Sequence, residues 1–361
     1  MIISQIPQTL AMRAASIFWP PHSRLILVSD TASWVIDEEM RAIATVATSL
    51  GLKVAGPKWE RGSRHQAVFY GSQFYLFDDY WLRSGHNIGV AYFHGLPGTG
   101  HQEFDDLFNK VKKHHERLSR VQVSHSEMRN CLLTTGIAPE KLHLIPIGIN
   151  LSLFPQQTPD SRRKFREKYN IPLSATVIGS FQKDGNGWGA GLEPKLIKGP
   201  DTFISVMAAL KSRVPELVVL LSGPARGFVK AGLEKHGIPY RHFNLPRYAD
   251  IGELFQTLDL YLITSRQEGG PKAVLESMAS GIPLVTTRVG QAMDMVRHGE
   301  NGWMTAVDDV EGLAYWAQWS LEHSDERRRA ISAGLHTAAE NEYSRQSPLW
   351  KTFLEGFVSN K

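Results

Sequence analysis

The chain has 361 residues, 42% hydrophobic and 21% charged, with a formal net charge of +4, values of a globular protein too long for one ordinary core. Its single cysteine, Cys131, excludes an internal disulfide framework and fits a reducing compartment, and no apolar run reaches the roughly 18–20 residues that span a bilayer. The mild positive charge comes without zinc spacing, a helix-turn-helix signal or an aromatic-basic pattern, so nucleic acid is not an expected partner.

The first ten residues lack the basic start and long apolar stretch of a signal peptide. Ile6 to Trp19 is expected to pack on its own domain, an interfacial role being the other use for it. Arg24 to Ser29 predicts a strand, followed by a glycine-free loop, Ser29-Asp-Thr-Ala-Ser-Trp34. Asp37 to Leu50 predicts a helix stopped by Gly51. Strands are expected at 52–54, 67–70, 88–93 and 121–124. Between the last two, Phe104 to Arg120 predicts a helix with Phe104, Leu107, Phe108, Val111 and Leu118 on one face. Its opposite face, with Lys110, Lys112, Lys113, Arg117 and Arg120, is expected to be solvated, or to touch anionic headgroups. Residues 151–171 look like a charged connector.

A second alternating set follows, with strands at 176–181, 217–222, 258–265 and 282–286. Helices are expected at 200–214, 228–236, 251–258 and 273–279. This rhythm predicts parallel sheets wrapped in helices.

The last of these helices follows Glu268-Gly-Gly-Pro-Lys-Ala-Val-Leu-Glu276, where two carboxylates flank a glycine-proline turn. Pro271 suits a first helical position, and the amides of Gly269 to Lys272 at a helix start would seat a phosphate. A loop carboxylate and a helix carboxylate around an anion seat suit a ligand with hydroxyls at both ends and phosphates between, which is a sugar nucleotide. Lys198 opens the helix after the second set's first strand, where a cation would neutralise a departing diphosphate. The glycine-rich stretch from Asp184 to Gly191 lacks the later ligands of a calcium loop; it reads as a flap, with Trp188 over a sugar, or as a plain insertion. His94, between Phe93 and Gly95, sits after a strand of the first set.

Together with Ser277-Met-Ala-Ser-Gly-Ile-Pro-Leu-Val-Thr286, the segment around Glu268 resembles the donor-binding signature of retaining glycosyltransferases of family 4, the glycosyl transferases group 1. The resemblance implies an α/β GT-B fold of two Rossmann-like domains facing across a cleft. Residues 1–150 would form the acceptor-side domain and 151–345 the nucleotide-sugar domain, with 346–361 crossing back to the first. By resemblance Glu268 meets the donor sugar and Glu276 the ribose, while Lys198 matches the family's lysine. The family's arginine is missing: Ser180-Phe181-Gln182-Lys183 stands there, and Lys183 is the expected substitute, a point charge without the arginine fork. His94 matches a histidine near the reacting sugar carbon. Gly269, Gly270, Pro271, Lys272 and Ala273 would hold the donor phosphates, and base recognition is expected at Ser222-Gly223-Pro224 and Asn244-Leu-Pro-Arg247. Ser124-His125-Ser126-Glu127 and Leu144-Ile-Pro-Ile-Gly-Ile-Asn150 resemble further family turns, the latter differing at Ile147 and Asn150. The glycine-free loop after the first strand departs from the family and points to an unusual acceptor. The likeness is firm over 120–310 and thin over 1–90.

The implied function is retaining transfer of a sugar from a nucleoside diphosphate to a hydroxyl of a polysaccharide, lipopolysaccharide or glycolipid. It would need no metal and no cofactor beyond the nucleotide-sugar co-substrate. The expected partners are that donor and a carbohydrate or lipid-linked acceptor, in the cytoplasm, with peripheral contact at the inner face of the membrane a further expectation. Retention in this family runs by attack on the face the leaving group departs from, so Glu268 and Glu276 are not read as a glycosidase acid and nucleophile. The alternative is a catalytically inactive sugar-nucleotide-binding partner of another transferase. An epimerase or a phosphorylase on the same fold fits the motif less well.

Overall fold

The computed structural model describes residues 5–29 and 34–359, with side chains placed over 11–29 and 36–359. The chain divides into two compact units, Met1–Ile147 with Tyr343–Lys361, and Gly148–Glu342. Among the described residues each unit holds one six-stranded sheet in which all neighbouring strands are parallel. Two parallel α/β units of this kind are what the sequence resemblance implies.

The first unit contains β1 (Arg24–Val28), β2 (Lys53–Ala55), β3 (Ala67–Tyr70), β4 (Asn87–Ala91), β5 (Leu118–Val123) and β6 (Leu142–Leu144), in the order β2-β1-β3-β4-β5-β6. Side chains alternate across a strand, and both faces of β1 are covered: Leu25 and Leu27 join one core, Ile26 and Val28 another. The first core is closed by the helix Trp34–Ser49, through Ile36, Met40 and Ile43, and by the C-terminal helix Ser347–Leu354. In the latter, Trp350 and Phe353 meet Phe69 of β3 edge to face at 5.7 and 5.4 Å. The helix Gln5–Ser16 packs within its own unit, where Ser16 Oγ donates to Gly62 O at 3.0 Å. Of the glycine-free loop after β1, residues 30–33 lie outside the described residues.

The helix expected up to Arg120 ends at His114, and a 3₁₀ turn, His115–Arg117, leads directly into β5. Its cations therefore do not share one face. Arg117 donates to the carbonyls of Trp81 and Ser84, Arg120 to those of Phe353 and Glu355, and Lys110 pairs with Asp79 at 2.6 Å. Lys112 and Lys113 alone of the five are exposed.

The second unit contains β7 (Thr176–Ser180), β8 (Leu217–Ser222), β9 (Tyr240–Phe243), β10 (Leu260–Ile263), β11 (Leu284–Thr287) and β12 (Trp303–Thr305), in the order β12-β11-β10-β7-β8-β9. β8 and β10 are buried along their whole length, as a continuous apolar run at the centre of a parallel sheet must be. The helix Pro200–Leu210 lays Phe203, Val206, Met207 and Leu210 on this sheet, the i, i+3, i+4, i+7 stripe of an amphipathic helix. The supposed connector contains a helix, Pro159–Lys168, opened by a capping box between Thr158 and Ser161. From β7 the chain winds outward through β8 to β9, then returns to place β10 on the other side of β7. Adjacent β7 and β10 thus send their loops in opposite directions, which opens a crevice at their carboxyl ends, the place where such sheets bind ligands.

Candidate active site

The loop leaving β10 carries Thr264 to Glu268, and almost every residue of it is tied down. Thr264 Oγ1 donates to Gly199 O at 2.9 Å, and the amides of Arg266 and Gln267 donate to Ile197 O at 2.8 and 3.0 Å. The Arg266 guanidinium grips Asp201 with two hydrogen bonds of 2.8 Å and also bonds Asp308. These bonds clamp the 3₁₀ turn Leu196–Lys198 against the loop. As a result Lys198 Nζ lies 2.5 Å from Glu268 Oε1, and Ser265 Oγ donates to the same oxygen at 2.9 Å. Both side chains keep partial access to solvent, 22% for Lys198 and 12% for Glu268.

Glu268 and Gly269 are supported from below by Gly290. It adopts φ +49°, and a Cβ there would collide with both of their carbonyl oxygens. The Gln291 amide adds a bond to Gly269 O at 3.1 Å. Pro271 precedes the helix rather than opening it. The helix is Ala273–Ala279, with Lys272 as its N-cap in helical geometry and Val274 N donating to Pro271 O at 2.9 Å.

Glu276 is buried on that helix, where its Oε1 accepts from Tyr248 Oη at 2.5 Å. Lys272 Nζ lies 4.8 Å from the centre of the Tyr248 ring. Burial pushes the Glu276 carboxyl above its ordinary range, with Lys272 and the Tyr248 hydroxyl acting against that shift. Tyr261 of β10 feels the charge of both acids. Its hydroxyl accepts from Phe181 N at 2.8 Å, and its ionisation is pushed up first by burial, then by the charges of Glu276 and Glu268.

Across the crevice, the loop after β7 passes through Gln182, whose Nε2 donates to Lys198 O at 3.0 Å. The next residue, Lys183, holds its ammonium 4.3 Å from the centre of the Trp188 ring, and Trp188 is 69% exposed. Asp184 then turns inward to a buried ion pair with Arg226 at 2.9 Å, and Arg226 Nη1 also donates to the ends of β7 and β8 at Ser180 O (2.7 Å) and Ser222 O (2.8 Å). Burial raises the Asp184 carboxyl and lowers the Arg226 guanidinium, each opposed by the other's charge. The glycine-rich stretch is thus anchored at its base, and its far end is held as well: Gly227 N donates to Ala190 O, and Phe228 N to Gly191 O, both at 2.8 Å.

The structure brings Lys198, Glu268 and Gln182 together at the β7/β10 crevice, while the Lys183 ammonium turns to the Trp188 ring. The Ser222-Gly223 turn lies beside them, a Cβ at Gly223 falling 3.6 Å from Gln182. Glu276 and Lys272 form a buried cluster with Tyr248. Arg247, although adjacent to Tyr248, sends its exposed guanidinium to Asp250 at 2.5 Å. His94 belongs to the first unit, past the end of β4, with its amide on Gln73 Oε1 at 2.7 Å and its ring stacked on Phe74 at 5.3 Å. Sequence reasoning missed Ser265, Tyr248, Tyr261 and Arg226. Only Ser265 is near the motif in sequence, and it carried no signal beyond its position at the strand end.

Residues 192–337, which include Lys198, Glu268 and Glu276, match the family described as Glycosyl transferases group 1. The group 1 segment has curated relatives of low identity. One is the lipopolysaccharide core biosynthesis mannosyltransferase LpsB of Rhizobium meliloti (strain 1021), 29% identical over 153 residues, covering 40% of this chain and 44% of the relative. A second is the N-acetyl-alpha-D-glucosaminyl L-malate synthase of Bacillus anthracis, 36% identical over 119 residues, 33% of this chain and 31% of the relative. The chain thus spans less than half the length of these two relatives. In fold, the chain is similar to the Anabaena protein HepE solved with UDP-glucose, at TM-score 0.72 and 18% identity, covering 92% of this chain and 99% of that one. It is also similar to WaaG, a glycosyltransferase of lipopolysaccharide biosynthesis, at TM-score 0.65 and 17% identity, over 91% of this chain and 99% of that one.

Proposed function

We propose that this protein is a retaining glycosyltransferase of family 4, moving a sugar from a nucleoside diphosphate to a hydroxyl of a polysaccharide, lipopolysaccharide or glycolipid. The observation that carries the reading is the Lys198–Glu268 pair, held by Ser265 at the β7/β10 crevice inside the group 1 segment. The names of the relatives and neighbours support it: LpsB is a lipopolysaccharide core mannosyltransferase, and HepE was solved with UDP-glucose.

In this reading the diphosphate lies along the β10 loop and the start of the helix at Ala273, against the amides of Gly269 to Lys272. Lys198 and Lys183 neutralise it as the anomeric C–O bond breaks, which is where negative charge develops. Because two lysines supply that charge, we propose that no metal is required. The acceptor oxygen bonds to the anomeric carbon from the face that the diphosphate leaves, and its proton passes to the departing phosphate oxygen. Glu268, bonded by Lys198 and Ser265, serves as a hydrogen-bond acceptor for sugar hydroxyls rather than as the nucleophile. Glu276 uses Oε1 for Tyr248 and offers Oε2 to a ribose hydroxyl. Ser222, Gly223 and Arg247 are proposed to meet the base, and His94 of the first unit to line the reacting carbon. The reading places the protein in the cytoplasm; among the described residues no helix is long and apolar enough to cross a membrane.

The test is slow hydrolysis of UDP-, GDP- and ADP-sugars by the purified chain, with and without EDTA. Turnover of one donor, unaffected by EDTA and lost in Glu268→Ala and Lys198→Ala, is expected. Binding without turnover would instead support the inactive partner, a reading motivated by Ser180-Phe181-Gln182 where the family carries its arginine. Equal turnover in wild type and both variants would refute the site.

A further inference from the structure

The stretch from Asp184 to Lys195 in the second unit closes on itself as a hairpin. Gly185 and Pro194 form an antiparallel bridge, Lys195 N donates to Asp184 O at 2.8 Å, and Asn186 N to Glu193 O at 2.9 Å. Its backbone presses against Ala225, whose carbonyl a Cβ at Gly185 or Gly191 would strike. The tip stands clear by contrast. Gly187 and Gly189 flank Trp188, and a Cβ on either would meet nothing within 4 Å. A bonded framework thus carries one large indole into solvent, 69% exposed. Onto its face reaches the ammonium of Lys183, 4.3 Å from the ring centre. The Lys183 backbone lies beside the Ser222-Gly223 turn, a Cβ at Gly223 falling 3.8 Å from Lys183 N.

The kind of partner decides what charge is left for a ligand. A carboxylate beside an ammonium cancels it, as Glu268 does for Lys198. An aromatic face attracts the cation through its quadrupole and leaves the net charge standing. A lysine is a point charge on a flexible four-carbon stem, so its orientation has to come from what the head rests on. We propose that Trp188 is a positioning residue, whose ring holds the Lys183 ammonium in place for the donor diphosphate. This rests on the proposed function, which puts the diphosphate at the crevice. The indole meets neither the sugar nor the base; its effect on the ligand passes through Lys183.

Titration calorimetry on the full chain with UDP, GDP and ADP, and with the matching sugar nucleotides, tests this in a double-mutant cycle of Lys183→Met and Trp188→Leu. For the diphosphate that binds, we expect Trp188→Leu to weaken affinity by about fivefold, the scale of one exposed cation–π contact, and Trp188→Phe to restore most of it. Lys183→Met should weaken it by about tenfold, and the double variant no further. The sugar nucleotide should show the same losses. Melting curves check that the variants fold. A loss from Trp188→Leu that recurs in the Lys183→Met background overturns the proposal, since the ring would then meet the ligand itself. So does a loss confined to the sugar nucleotide, and so does wild-type affinity in folded Trp188→Leu. These three results leave the proposed function standing, whereas a wild type that binds none of the diphosphates takes both down.

Discussion

Lys198 and Glu268 bond each other at 2.5 Å, so each stands as partner to the other before any donor arrives. Removing Lys198 takes away the cation that meets the leaving group; Lys198→Ala should lower kcat by about 100- to 1000-fold, the scale of one preorganised electrostatic contact. Lys198→Arg should recover part of that loss, and full activity in Lys198→Ala would contradict the assignment. Glu276 makes a pH-dependent prediction. Its carboxyl is raised above the ordinary 4.5 by burial, so the folded chain holds that proton at pH values where the unfolded chain has lost it. The contribution is therefore most favourable below about 4.5 and is lost as pH rises through the folded value. Compared across pH in thermal melts, the Tm of Glu276→Gln should gain on the wild type as pH rises; a constant difference would show that the carboxyl is not perturbed. Glu268 and Glu276 stood out in the sequence because strand, turn and helix start form one short motif, and Lys198 because it stands just before the helix that follows the second unit's first strand. Tyr248 and Tyr261 did not, because nothing in a tyrosine's neighbours announces that one hydroxyl will meet Glu276 and the other the amide of Phe181.

Among the elements, the loop between β10 and its helix depends on residues distant in sequence. A side chain at Gly290 would strike the carbonyls of Glu268 and Gly269 and would need the left-handed backbone that glycine tolerates. Gly290→Ala should weaken donor binding by about tenfold or more without touching any proposed ligand, since small displacements of a positioned group are costly; titration calorimetry with the accepted donor checks it, and unchanged affinity would show that the loop is not held from below. The Asp184–Arg226 pair anchors the turn that carries Lys183. Asp184→Ala leaves a buried guanidinium without its counter-charge and should cost about 3–5 kcal/mol in urea unfolding. Pairs of this kind escape a linear reading, since 42 positions separate the two residues and the sequence suggested a loose glycine-rich flap. The strands β7, β8, β10 and β11 were legible as apolar runs. β6, β9 and β12, which are short and carry polar or aromatic residues, were not. The basic face expected on 104–120 dissolved because Leu118 and Arg120 belong to β5, where a two-residue period replaces the helical one.

For the whole molecule, both α/β units were foreseen from the alternation of apolar runs and amphipathic segments. The stability of the chain should depend on imidazoles buried in their neutral form. His86 accepts from Gln66 N on Nδ1 and so donates from Nε2 to Glu60 O, an arrangement that a second ring proton would break. Burial lowers His22 and His86 below the ordinary 6.5 and takes His143 down to about 4. Their contribution is present above about 6.5 and is lost as pH falls toward the folded values. The urea midpoint should therefore drop between pH 6.5 and 4, and the drop should be shallower in His143→Gln; a profile unchanged by that substitution would contradict the burial argument.

The claim on which the account turns is that the β7/β10 crevice of the second unit holds a sugar nucleotide between Glu268 and Glu276. Equilibrium titration of the full chain with UDP-, GDP- and ADP-sugars, repeated on Lys198→Ala and Glu276→Ala, tests it most directly. The account predicts saturable binding of one of these donors, weakened by about tenfold or more in each variant. Binding of none of them, or equal affinity in wild type and both variants, would contradict it.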